Sequence, residues 1–306
     1  MKKILFLSCL ALLAWAGSSC NGSGQQPLQP KAKHVVMVGI DGWAAHDLSQ
    51  APNIPNIRNL MANGSYTLHK RSVLPSASAI NWASMFMGAP TELHGYTKWN
   101  SKVPEIPAFK QNDHNIFPTI YSIIREQKPE AETGCTFDWD GVKFVIDTLA
   151  ISHWEYIPDS YVDINKNCTI AENYIKQKKP FFYTAYFGTL DETGHEHGWY
   201  TPEYYATLAE IDVCVGRLIQ ALKDAGIYDD TIFIMSSDHG GIDKGHGGMT
   251  IEELETPFIV CGKGIKKGYE TPDVVMQYDV PATIAYILGI QQPQAWVGRP
   301  VTSIFE

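Results

Sequence analysis

Three apolar runs that each lead to an aspartate limit this chain to few folds. KHVVMVGI (33–40) stops at Asp41-Gly42, FFYTAYF (181–187) runs on into Leu190-Asp191, and TIFIMSS (231–237) stops at Asp238. Nearly continuous apolar runs of this length suit strands buried on both faces of a sheet. Open parallel α/β sheets bind ligands at the carboxyl edge of their strands, and there all three aspartates would lie.

Helical patterns alternate with the strands. After Thr201-Pro202-Glu203, apolar residues recur at Tyr204, Leu208, Ile211, Val215, Leu218 and Leu222, and Gly226 marks a stop. Residues 81–87, 117–127 and 279–288 also read as helical. The expected architecture is a three-layer α/β/α sandwich with a mostly parallel central sheet. At 306 residues and 44% hydrophobic content the chain can fill one large core or two modest ones. Residues 97–180 are less regular, hold Trp99, Trp139 and Trp154, and are expected to form a cap or insertion beside the sheet.

The N-terminus reads as a targeting segment. MKK is followed by ILFLSCLALLAWA and GSSC, an apolar core too short for the roughly 20 residues that span a bilayer. The expectation is a signal peptide over 1–19, a lipidated Cys20 at the head of a flexible tether (20–32), and a catalytic domain over 33–306. That makes the protein an exported lipoprotein on a bacterial membrane, facing the periplasm or the cell surface. Cys135, Cys168, Cys214 and Cys261 remain; they contain no CxxC pair and allow three disulfide pairings. Cys261, at the end of PFIVC, reads as a small core hydrophobe. The formal charge of -9 argues against duplex nucleic acid as a partner.

Three segments carry the chemistry: GIDG (39–42), LDETGH (190–195) and SDHGG (237–241), with His246 close behind the last. Mixed aspartate and histidine ligands suit zinc, with Mn²⁺ or Fe as alternatives. Asp191 and His195 are four apart, so one helical turn could aim both at one ion. In LPSASAINWASMFMGAPTELHGY (74–96), Ser78 lies at a helix start with Asn81 three residues on. Ser78 fits either an ordinary N-cap or a nucleophile set where helix N–H groups meet a phosphate. Ser76 and Ser84 are its rivals. His94 reads as a turn anchor, and His197, Glu192 and Glu196 as neighbours of ligands. Trp99, Asn100, Trp139 and Trp199 are candidates for a leaving-group pocket.

The order GIDG, PSASAIN…GAPTELHGY, DETGH, SDHGG and GHGG resembles the alkaline phosphatase superfamily, and within it the type I phosphodiesterase/nucleotide pyrophosphatase branch. The resemblance implies two metal ions. Asp191, His195 and His246 would hold the one that activates water; Asp41, Asp238, His239 and Ser78 would gather at the other, which lowers the pKa of the Ser78 hydroxyl. It also implies a phosphoserine at Ser78, with Asn81 and nearby backbone N–H groups stabilising the equatorial oxygens. Three carboxylates and a serine alkoxide carry four negative charges, which two divalent ions would offset. There are departures: serine stands where the branch has threonine, no arginine follows Ser78 closely, no C-x-P-x-R run is present, and the gap from SDHGG to GHGG is short. The expected function is hydrolysis of a small phosphate ester, a diester before a monoester. Alternatives are a phosphomonoesterase, phosphonate hydrolase or phospho-group transferase of the same superfamily, and a binding lipoprotein on the same fold.

Overall fold

The computed structural model describes residues 28–306 except 47, 49, 50 and 159–162. The expected signal peptide and Cys20 lie outside the described residues. The chain runs through β1 (His34–Ile40), α1 (Pro55–Asn63), β2 (Ser65–Arg71), α2 (Ser78–Met87), α3 (Thr91–His94) and α4 (Ile120–Gln127). It continues with β3 (Thr133–Phe137), β4 (His153–Tyr156), α5 (Ile164–Lys178), β5 (Phe182–Phe187), α6 (Thr189–His197) and α7 (Pro202–Asp224). The last elements are β6 (Thr231–Ser236), α8 (Ile251–Leu254), β7 (Glu255–Gly262), β8 (Tyr269–Glu270) and α9 (Asp279–Leu288).

All eight strands form one sheet in the order β4-β3-β5-β1-β6-β7-β2-β8. Strands β4, β3, β5, β1 and β6 are parallel, and β7 is antiparallel to both β6 and β2. Side chains alternate along a strand, so β1 feeds two cores. Val35 and Met37 pack with Trp82, Phe86, Ile123 and Ile284 of α2, α4 and α9. Val36, Val38 and Ile40 pack with Ile57, Leu208, Ile211 and Leu218 of α1 and α7. This is the three-layer sandwich expected from the sequence. The apolar face anticipated for 204–222 is buried along α7, and Thr201 caps that helix by accepting from the Tyr204 N–H.

The region 97–180 differs from the expected cap. It supplies α4, β3, β4 and α5, and so belongs mostly to the sandwich. The five residues of β3 (TGCTF) are all buried, whereas edge strand β4 (HWEY) is largely exposed; neither is long and apolar enough to announce a strand. Among the described residues of this region, 95–119 is the longest stretch without helix or strand. Cys135, Cys168, Cys214 and Cys261 are buried free thiols. Among the described residues no helix is long and apolar enough to cross a membrane.

Candidate functional site

Strand register brings the site together. Gly39 of β1 lies level with Tyr186 of β5 and Ser236 of β6, so the three strands finish side by side. Asp41 leaves β1, Asp191 stands in the first turn of α6 just after β5, and Asp238 and His239 follow β6. Gly42 turns the chain at φ 67°, and a Cβ there would lie 2.7 Å from Asp191 Oδ1. Glycine therefore lets the β1 turn and the α6 carboxylate approach each other.

His239 is the hub. Its Nε2 lies 3.1 Å from Asp238 Oδ2, 3.4 Å from Asp41 Oδ1 and 3.2 Å from Ser78 Oγ. The His246 ring stacks on it with centroids 3.7 Å apart, and His246 Nε2 is 3.7 Å from Asp191 Oδ1. His195 Nε2 is 3.4 Å from Asp191 Oδ2. The Nδ1 atoms of His239, His246 and His195 each face a backbone carbonyl, of Gly240, Ser76 and Lys244. A carbonyl only accepts, so each Nδ1 carries the proton and each Nε2 is turned to the carboxylates. That is how ligating histidines are held in metal sites.

Two groups of donors have the spacing of a metal shell. Asp41, Asp238 and His239 present ligand atoms all within 4.8 Å of one another, and so do Asp191, His239 and His246. Asp41 Oδ1, Asp191 Oδ1 and Asp238 Oδ2 are buried with no hydrogen-bond partner. Buried carboxylate oxygens are costly in that state, and a cation relieves the cost. Electrostatics agree. Burial and the neighbouring Asp191 push Asp41 up to about 6. Burial, Asp41 and Asp191 push Asp238 well above the usual carboxylate range. Burial also raises Asp191, but His195, His239 and His246 outweigh it and hold that carboxyl low. Burial and the neighbouring His239 depress His246 to about 4. The Asp191 hydrogen bond lifts His195 to about 9 against the effect of burial. His195 is in neither group, whereas His239, assigned by the resemblance to one shell, is shared by the two.

Ser78 is the first residue of α2, and Ala77 is the N-cap with no side-chain bond. The N-cap alternative for Ser78 is therefore not what the structure shows. Its rivals are engaged elsewhere: Ser76 Oγ donates to the Gly248 carbonyl, and Ser84 Oγ meets His94 Nε2 within the helical layer. His94 also accepts from the Tyr96 N–H, as a turn anchor should.

Ser78 opens onto a cavity of about 560 Å³ lined by Asp41, Asp191, His195, His246, Glu192, Tyr186, Trp99 and Trp139, among others. Asn81 is not brought to it. Its amide donates to the carbonyls of Val73, Pro75 and Ala77, and its Oδ1 accepts from the Val73 N–H. Its N–H donors and its Oδ1 are engaged in the turn before Ser78, so it shapes that turn and is not among the residues that line the cavity. Trp199 is also displaced from the expected pocket. It is buried, donates to the Gly42 carbonyl and sets its ring edge-on to His195. Asn100 is exposed and outside the lining. His197 and Glu196 pair with each other at the surface.

The residues that sequence reasoning missed stand behind the ligands. Trp82 Nε1 donates to Asp41 Oδ2 at 2.9 Å, and the Tyr186 hydroxyl donates to the same oxygen. Trp82 reaches it by crossing Gly39, where a Cβ would lie 2.6 Å from the ring. Lys70 is fully buried in β2 and donates to the Ser237 carbonyl at 2.8 Å and to Gln277. A lone lysine in the alternating strand SYTLHKR was the only signal for it.

Residues 35–255 match the family model described as type I phosphodiesterase / nucleotide pyrophosphatase. The chain belongs to that family. Ectonucleotide pyrophosphatase/phosphodiesterase family member 1 of Rattus norvegicus is 26% identical over 245 residues, 74% of this chain and 26% of the relative. GPI ethanolamine phosphate transferase 1 of Neurospora crassa is 27% identical over 188 residues, 54% of this chain and 19% of the relative. The chain thus spans about a quarter or less of the length of these curated relatives. Murine ectonucleotide pyrophosphatase / phosphodiesterase 5, inactive and in complex with AMP, shares the fold at a TM-score of 0.71 and 15% identity, covering 90% of this chain and 100% of that one. A phosphonate monoester hydrolase from Silicibacter pomeroyi does so at 0.68 and 15%, covering 89% and 76%.

Proposed function

We propose that the chain hydrolyses phosphate diesters by covalent transfer to Ser78. The observation that carries this reading is the position of Ser78 Oγ. It sits at the start of α2, 3.2 Å from His239 Nε2, at the cavity to which unpartnered carboxylate oxygens of Asp41 and Asp191 belong. Two divalent cations, zinc before manganese or iron, would offset that charge, hold the Ser78 hydroxyl as an alkoxide and activate water. One would be held by Asp41, Asp238 and His239 beside Ser78, the other by Asp191 and His246 with either His195, as the resemblance implies, or the shared His239, as the observed spacing favours.

Ser78 Oγ attacks phosphorus, the bond to the leaving oxygen breaks, and an alcohol departs with a proton. Water then cleaves the Ser78 ester and restores the hydroxyl. In the first turn of α2 the Ala79 N–H is taken by the Trp99 carbonyl; the Ser78 N–H, which has no acceptor within the helix, would meet developing negative charge with a favourable dipole. Trp82 and Tyr186 hold Asp41 in place, and the backbone carbonyls fix the three imidazoles. Among the described residues the cavity lining contains no Lys or Arg, which favours the single charge of a diester over the double charge of a monoester. Trp99 and Trp139 line the cavity and would give the leaving group an aromatic wall.

Turnover of bis-nitrophenyl phosphate against nitrophenyl phosphate tests the reading, with the diester expected to be the better substrate. Nitrophenyl phosphate as the preferred substrate would replace it with a phosphomonoesterase. Adding an alcohol as acceptor tests the transferase alternative, since transfer leaves an alkyl phosphodiester in place of a monoester product. Export and lipid attachment at Cys20 belong to the same proposal and are supported by residues 1–32 of the sequence alone.

A further inference from the structure

We propose that the loop from Lys98 to Lys110 docks the protein on an anionic phospholipid surface. The loop exposes Trp99 (58%), Val103 (68%), Ile106 (46%) and Phe109 (71%). These are four of the sixteen exposed large hydrophobics among the described residues, gathered within eleven positions. Scattered exposed apolar residues need no explanation, but a cluster marks a contact surface.

The exposure is built in. Glu105 accepts from the Thr97 N–H at 2.9 Å and from the Thr97 and Ser101 hydroxyls at 3.1 and 2.8 Å, closing the loop on itself. The Ile106 N–H donates to the Gly95 carbonyl at 3.1 Å and the Phe109 N–H to the Leu93 carbonyl at 2.9 Å. Pro104 and Pro107 stiffen the same stretch. The apolar side chains are thus held outward by a pinned backbone.

Charge selects the occupant. The chain carries -9 overall, yet this loop has Lys98, Lys102 and Lys110 against one acid, Glu105, whose carboxylate is spent on its own loop. Apolar side chains set among lysines suit the boundary of an anionic bilayer. A second copy of the chain would bring two strongly acidic bodies together. The loop also adjoins the catalytic cavity: Trp99 lines it, and the Trp99 carbonyl accepts from the Ala79 N–H of α2 at 3.0 Å. Docking here sets the cavity mouth against the headgroups.

The test is amide hydrogen exchange over 97–110 in the full chain, with phosphatidylcholine vesicles that contain or lack phosphatidylglycerol. The readout is local, so attachment through residues 1–32 does not produce it. Exchange is expected to slow at least about fivefold on the anionic vesicles alone, and to regain its free rate at high salt. The same recovery is expected in V103S/F109S and in K98Q/K102Q/K110Q. Turnover of soluble bis-nitrophenyl phosphate by V103S/F109S should stay unchanged, so a failed docking surface is distinguishable from a failed phosphodiesterase reading. Unchanged exchange on anionic vesicles would overturn the proposal. So would equal slowing on phosphatidylcholine alone or in V103S/F109S, or slowing without vesicles as protein concentration rises, which would point to self-association.

Discussion

Asp41, Asp238 and His239 are 0–2% exposed and hang directly from the ends of β1 and β6. Asp191, His195 and His246 come from α6 and from the glycine-rich loop after β6, with side chains 14%, 43% and 9% exposed. The buried half keeps two carboxylates together with too little positive charge, and burial raises both their pKa values. The exposed half balances itself, because His195 can carry a proton against Asp191. A cation would therefore relieve the buried half more than the exposed one.

The sharpest test of that contrast is Asp238→Asn. Turnover should fall on the order of 10³-fold, while the chelated protein should gain about 1–2 kcal/mol in urea unfolding as buried repulsion is relieved. If the substitution destabilises chelated and loaded protein alike, the carboxylate is structural and the contrast fails. His195→Asn should cost less, about 10–100-fold, with one of two cations lost on elemental analysis. A loss as deep as that of Asp238→Asn would make the halves equivalent. Tyr186→Phe removes one of the two donors that fix Asp41 and should cost about 10-fold, read as kcat on bis-nitrophenyl phosphate.

The smallest effect is the pH dependence of the chelated protein's stability. Asp41 is raised to about 6, so its contribution is complete below its ordinary value of 3.8 and is lost as pH rises through 6. His195 is raised to about 9, so its contribution is complete below 6.5 and is lost as pH rises through 9. His246, depressed to about 4, works in the opposite sense and loses its contribution as pH falls below 6.5. Differences between wild-type and variant curves separate them. Asp41→Asn should remove only the acid step and His195→Asn only the alkaline one; a variant that removes both would join the halves into one titrating unit.

The sandwich and the ligand-bearing strand ends were legible because each depends on a local run: apolar stretches before Asp41, Asp191 and Asp238, and a regular face along α7. What stands behind the ligands was not. Trp82 and Tyr186 meet at Asp41 only through the register of β1 with β5 and the bare Gly39 between them, and register is a property of the assembled sheet. Asn81 has the spacing of a phosphate ligand, but its amide found four backbone partners in the preceding turn. Trp199 behaves likewise: its position in sequence beside the ligands placed it behind them. Strands β3 and β4 escaped notice because they are only five and four residues long and β4 lies exposed at the sheet edge.

If Ser78 is the nucleophile of a metal-dependent phosphodiesterase, removing its hydroxyl stops turnover without emptying the metal site. Ser78→Ala should be assayed on bis-nitrophenyl phosphate, with bound metal counted in the same samples. Turnover is expected to fall on the order of 10³-fold or more with two divalent ions still bound. Full turnover in Ser78→Ala at unchanged metal content, or loss of activity in Ser76→Ala instead, would contradict it.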